Sequence, residues 1–108
     1  MITITRYEDG FTVDGHAGYA EYGKDIVCAA VSALLQAFCE SVRELTTDEL
    51  KCVISAGRAV IRYEALTEDA QLLLNSFFIG IKMIEGSYPE YVVLKKGFEH
   101  IKIPAGIG

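Results

Sequence analysis

No stretch of this chain reaches the ~18–20 consecutive apolar residues that a membrane span needs. The opening Met1–Tyr7 carries threonines where an export signal would carry an apolar core. These two absences lead us to expect a cytoplasmic protein with no membrane partner. Basic residues are the scarcer sign: ten Lys and Arg stand against fifteen Asp and Glu, a net charge of −5. That balance disfavours a nucleic-acid backbone as a direct partner and allows a basic one. Cysteine occurs only three times, and an odd number without an export signal leaves at least one free thiol and argues against a disulfide framework. Charged residues are 23% against 51% hydrophobic, which excludes disorder as a description of the whole chain. The 108 residues suit a single domain spanning 1–108, large enough to bury about two-thirds of its extended surface without metal or disulfide staples.

Ile2 and Ile4 alternate with Thr3 and Thr5, and Phe11 to Asp14 alternate again beyond Asp9-Gly10, so the chain opens with a β-hairpin. From Gly15 to Lys24 the pattern stops, with three glycines in a loop. Asp25 is an acceptable N-cap for the following run, Ile26 to Phe38, in which only Ser32 and Gln36 are polar. A helix so apolar on all sides is expected to be the central, covered helix of the domain. Lys51–Ser55 and Arg58–Glu64 read as a second hairpin across Ala56-Gly57. A second helix follows Thr67, with Glu68 and Asp69 in its first turn and Gly86 and Pro89 to stop it; Tyr91–Lys95 is a last strand. The expected fold is α+β, a mainly antiparallel sheet in ββαββαβ order with two helices.

Two residues stand out chemically. Cys28 lies in the first turn of the first helix, where unpaired N–H groups and the helix dipole favour an anion, and the thiolate is the reactive form of a thiol. Against this, most helical cysteines are inert core residues. His16 sits at the end of the second strand, so the order strand end, His, flexible loop, helix start, Cys can bring an imidazole to the sulfur as a base–nucleophile pair. An ordinary loop histidine fits the spacing equally well.

The words around these residues say more. Gly15-His16-Ala17-Gly18-Tyr19-Ala20-Glu21-Tyr22-Gly23-Lys24-Asp25-Ile26-Val27-Cys28-Ala29-Ala30-Val31-Ser32-Ala33-Leu34 closely resembles the signature of the Prp family of ribosomal-processing cysteine proteases. The resemblance covers a fifth of the chain, with the GHA, YG and DIVCAAVS words all matching. It implies a Cys–His dyad of Cys28 and His16; beside the dyad, Gly15, Tyr22, Gly23, Asp25 and Ser32 are the candidate supporting or substrate-binding positions. It also implies a substrate, the N-terminal extension of a large-subunit ribosomal protein, an α+β fold, and a homodimer. No cofactor is expected.

For Asp25 two roles stand side by side, capping the helix or orienting His16 as a third member. Ser32, one turn beyond Cys28, either touches the sulfur or imidazole or bonds its own helix backbone. The loop is a hinged gate with Tyr19 and Tyr22 offered to an aromatic-ended peptide, or a rigid connector. Cys39, ~16 Å along the helix from Cys28, and Cys52 both read as core, and His100 as a surface residue. A metal site is disfavoured, since only Asp14 or Asp25 is at hand to join His16 and Cys28, and no glycine-rich phosphate loop follows a strand. Two other functions remain open: a non-catalytic ribosome-associated module holding a basic protein on the acidic surface, and a small acyl or amide hydrolase with the same dyad.

Overall fold

The computed structural model describes residues 1–21 and 23–101. The elements follow the expected order: β1 (Ile2–Tyr7), β2 (Gly10–Asp14), α1 (Ile26–Leu45), β3 (Lys51–Ser55), β4 (Arg58–Arg62), α2 (Glu68–Ser87) and β5 (Val92–Lys96). The strands form one sheet in the order β3-β4-β2-β1-β5. Three neighbouring pairs are antiparallel, and β1 pairs parallel to β5, which the chain reaches from β4 through α2. Both helices lie on one face. Alternate strand residues Ile2, Ile4, Phe11, Ala59, Ile61 and Val92 meet Val27, Val31, Leu35, Phe38 and Val42 of α1 and Leu74, Phe77, Phe78 and Ile81 of α2 in a single core. Phe11 is its centre, fully buried and in ring contact with Phe38, Phe77 and Phe78. Truncating such a side chain typically costs about 3–5 kcal/mol.

The first helix differs from expectation in its burial. It is not covered all round: its buried stripe is Val27, Val31, Leu35, Phe38 and Val42, while Ile26, Ala29, Ala33 and Ala37 are exposed. Small alanines on the outer side inflate the apolar count at little cost in exposed area. By length and composition alone α1 is apolar enough to cross a membrane, with mean hydropathy 1.5. Its larger side chains instead pack on the sheet, and Glu40, Arg43 and Glu44 interact with one another near its end. The second helix starts at the expected cap, Thr67 Oγ1 accepting the Ala70 N–H. It runs past Gly86 to Ser87, and Pro89 follows.

The second correction concerns the other two thiols, which do not sit in a closed core. Cys52 is exposed and Cys39 half-buried, because β3 is the sheet's edge and all five of its residues are exposed. Their sulfurs are 3.7 Å apart. His100 is exposed as expected, with Nδ1 3.8 Å from Asp9 Oδ2. In the tail Ile101 and Ile103 alternate in sequence as a short strand would; Ile101 is buried, and Ile103 lies outside the described residues.

Candidate active site

The chain enters the site from β2, whose last residue, Asp14, faces Arg58 in the register and pairs with it. Gly15 follows with φ +93°, its N–H donating to the Gly57 carbonyl at 2.8 Å. A Cβ at Gly15 would lie 2.4 Å from the Met1 carbonyl oxygen, so only glycine fits both the conformation and the space. The strand end is thus fastened between Met1 and the β3–β4 turn, which fixes where His16 leaves the sheet. The His16 ring is exposed and rests against that turn, with Nε2 3.0 Å from where a Cβ on Gly57 would be. Gly57, at φ +75°, is therefore both the turn residue and the space the imidazole occupies.

Ala17, the next residue, is buried, and its N–H donates to Cys28 Sγ at 3.2 Å. This contact across eleven residues holds the sulfur at the loop. Asp25 caps α1, as one of its two expected roles: Oδ1 accepts the N–H groups of Val27 at 3.0 Å and Cys28 at 2.9 Å. Its second oxygen makes a contact not foreseen above, accepting the Tyr19 N–H at 3.0 Å. One carboxylate ties the loop to the helix start. The Cys28 N–H above all holds this carboxyl below the usual range, with the Tyr19 N–H acting the same way. No bond from Asp25 to His16 forms among the described residues.

Cys28 and His16 line one groove of about 620 Å³, together with Gly18, Gly23, Asp25 and Ser32, a size within the range of ligand sites. Ala20 and Ala29 complete the lining. Two larger cavities, about 660 and 810 Å³, have neither cysteine nor histidine among their lining residues. Size is thus a poorer guide than chemistry. Among the described residues the sulfur's partner is the Ala17 N–H, and no hydrogen bond joins it to His16.

Ser32 makes neither contact expected of it. Its hydroxyl accepts from Gln36 Nε2 at 2.8 Å, a neighbour one turn further along the exposed side of α1. Tyr22 lies outside the described residues. Tyr19 is not among the residues lining the groove; its ring packs edge-on against Tyr88 and Tyr91, at 5.6 and 5.2 Å between centroids. The first half of the loop is therefore anchored to the α2–β5 junction as well as to Asp25. No group of three or more His, Cys, Asp or Glu side chains suited to a metal occurs among the described residues. Ala17 and Gly57 were not foreseen as site residues. Ala17 acts through its backbone, and Gly57 is forty-one positions from His16, so neither leaves a local signal.

Comparison with known proteins places the chain in a family. The family described as cysteine protease Prp matches residues 1–93. The ribosomal processing cysteine protease Prp of Staphylococcus aureus is 34% identical over 85 residues, 76% of this chain and 80% of that one. A crystal structure of the essential ribosomal processing protease Prp from S. aureus, in complex with a covalently linked product peptide, superposes with a TM-score of 0.83 at 32% identity. It covers 90% of this chain and 100% of that one. A second structure of that protease, in complex with a substrate peptide, gives a TM-score of 0.76 at 29% identity over 89% and 97% of the two chains. With the match running through every element up to the start of β5, and a cysteine at the start of α1 facing a groove, the chain belongs to the cysteine protease Prp family and is a hydrolase of peptide bonds.

Proposed function

We propose that this protease removes the N-terminal extension of a large-subunit ribosomal protein, with Cys28 as nucleophile and His16 as general acid and base. The observation that carries the reading is the shared groove: an N–H-supported sulfur at the start of α1 and an exposed imidazole opening onto the same 620 Å³ space. The ribosomal processing role of the relatives, and the complexes of one of them with a product peptide and a substrate peptide, support the substrate class.

In this mechanism Cys28 Sγ attacks the scissile carbonyl carbon, forming a C–S bond and a tetrahedral oxyanion. Collapse breaks the C–N bond while His16 gives its proton to the leaving amine. Water, deprotonated by His16, then attacks the thioester, releasing a new carboxylate and restoring the thiol. The imidazole closes on the sulfur as the peptide binds, since catalytic hydrogen bonds are often long in the free enzyme. The N–H groups of Val27 and Cys28 are taken by Asp25 and do not serve the oxyanion. That task falls to the loop, where Gly18 and Gly23 expose bare backbone to the groove. Gly15 and Asp25 position His16 and the loop.

The test is a peptide spanning the junction between the extension and the mature ribosomal protein, followed by mass spectrometry. Two products from the native protein, and none from a folded Cys28→Ser variant, are expected. Binding without cleavage, or cleavage by Cys28→Ser, would overturn the reading. Turnover of a small ester with the peptide left intact would instead favour a small-molecule hydrolase. The enzyme is proposed to work in the cytoplasm as a homodimer, supported by Leu72, Ile79 and Met83, which leave one stripe of α2 exposed at 69%, 62% and 70%. Light scattering at micromolar concentration giving a mass near 11.9 kDa would overturn the dimer.

A further inference from the structure

Cys39 and Cys52 play no part in the chemistry above, yet the fold brings their sulfurs to 3.7 Å. Cys39 is on the fourth turn of α1, and Cys52 is on the edge strand β3, pointing to the same side as its register partner Ile61, towards the helices. The two line a separate cavity of about 420 Å³ with Arg43, Asp48, Glu49 and Leu50, away from the catalytic groove. We propose that Cys39 and Cys52 form a reversible disulfide by exchange with a low-molecular-weight disulfide such as oxidised glutathione.

The geometry leaves little to do. A disulfide needs the sulfurs about 2.05 Å apart, so each has to approach by under ~1 Å from 3.7 Å. The partner that moves is an edge strand paired on one side only. The two thiols are unequal in access. Cys52 is exposed and meets the reagent first, while Cys39 is half-buried. The Cys39 thiol is pushed up to about 12, first by burial and then by its neighbour Cys52, so it stays protonated while Cys52 reacts; bonding Cys52 to glutathione removes the neighbour's charge.

The exchange balances in two steps. The Cys52 thiolate attacks one sulfur of glutathione disulfide, forming the Cys52–glutathione bond and releasing one reduced glutathione. Cys39 Sγ then attacks Cys52 Sγ, the Cys39–Cys52 bond forms, and the second glutathione leaves, taking the Cys39 proton. Two protein thiols are oxidised and one glutathione disulfide is reduced to two thiols. The bond would join α1, which carries Cys28 at its start, to the hairpin whose Gly57 backs His16. It braces these two elements from the end remote from the groove, and cleavage activity is retained.

The full chain treated with oxidised glutathione, then alkylated and digested, is expected to yield the Cys39 and Cys52 fragments joined, and a Tm raised on the order of 10 °C that dithiothreitol reverses. Cys39→Ser should stop at the first step, holding one glutathione on Cys52, while Cys52→Ser leaves Cys39 unmodified. Both cysteines still free to alkylate after treatment would overturn the proposal, as would a lasting glutathione adduct on Cys52 in the native chain or dimers cross-linked through Cys52. None of these outcomes depends on whether a ribosomal peptide is cleaved.

Discussion

The two helices of this protein begin in the same way and are used differently. Each opens on a capping side chain, Asp25 for α1 and Thr67 for α2. The first turn of α2 carries Glu68 and Asp69, and its cap is closed off by Asp48, which accepts from both the N–H and the hydroxyl of Thr67. Every favourable term there goes to stability. The first turn of α1 has no acidic residue; in its place stands Cys28, and the cap carboxylate reaches outward to the loop through Tyr19. The cap only anchors the helix at α2; at α1 it also ties down the loop whose Ala17 N–H bonds the Cys28 sulfur. The difference lies in what the first turn faces: at α1, an open groove.

The largest effect that can break this comparison is loss of the imidazole. His16→Ala should lower turnover by roughly 10²–10⁴-fold, the usual contribution of a general acid–base group, with Tm unchanged because the ring is exposed. A shift of the pH optimum with full turnover would mean that His16 only tunes the thiol.

Exchanging the caps for alanine sharpens it next. Asp25→Ala and Thr67→Ala should each cost about 0.5–2 kcal/mol of stability in denaturant unfolding. Only Asp25→Ala should also reduce peptide cleavage, since only that cap holds the loop. Equal activity in both variants would show that the tie to Tyr19 is dispensable.

A smaller effect is expected at the turn. Gly57→Ala places a methyl at 3.0 Å from His16 Nε2 on a backbone at φ +75°. Strain of order 1 kcal/mol should accompany a fall in kcat, and the imidazole resonances should move in NMR spectra.

The smallest is a titration. The Asp25 carboxyl sits below its ordinary 3.8, so the charged form is favoured in the folded state. Its contribution is complete above that value and fades as the pH falls through the lower, folded-state midpoint. A carboxyl titration by NMR placing Asp25 at or above 3.8 would show that its bonds to Cys28 and Tyr19 are not formed in solution.

How much of this was legible in the chain can be argued from a few residues. Periodicity and breakers placed all seven elements, with ends displaced by a residue or two where β4 stops at Arg62 and α2 continues past Gly86. Asp25 as a cap was readable because an N-cap bonds within three residues. Its bond to Tyr19 was not, because a flexible loop's path is set by what it packs on, here Tyr88 and Tyr91. The burial of α1 was misread because hydrophobicity counts side-chain type and not the side it faces. Cys52 was misread because strand alternation does not say which strand is the edge.

By itself the sequence determined what local chemistry can determine: the alternation that makes strands, the caps that start helices, and a family signature that puts His16 and Cys28 twelve positions apart across a glycine-rich loop. Only the tertiary structure decided what meets across long separations. It set Gly57 behind the imidazole, the Ala17 N–H on the sulfur, and Cys39 against Cys52. Those contacts depend on sheet order and on which helix face turns inward, and both are fixed by the burial of the whole core around Phe11 rather than by any local run of residues.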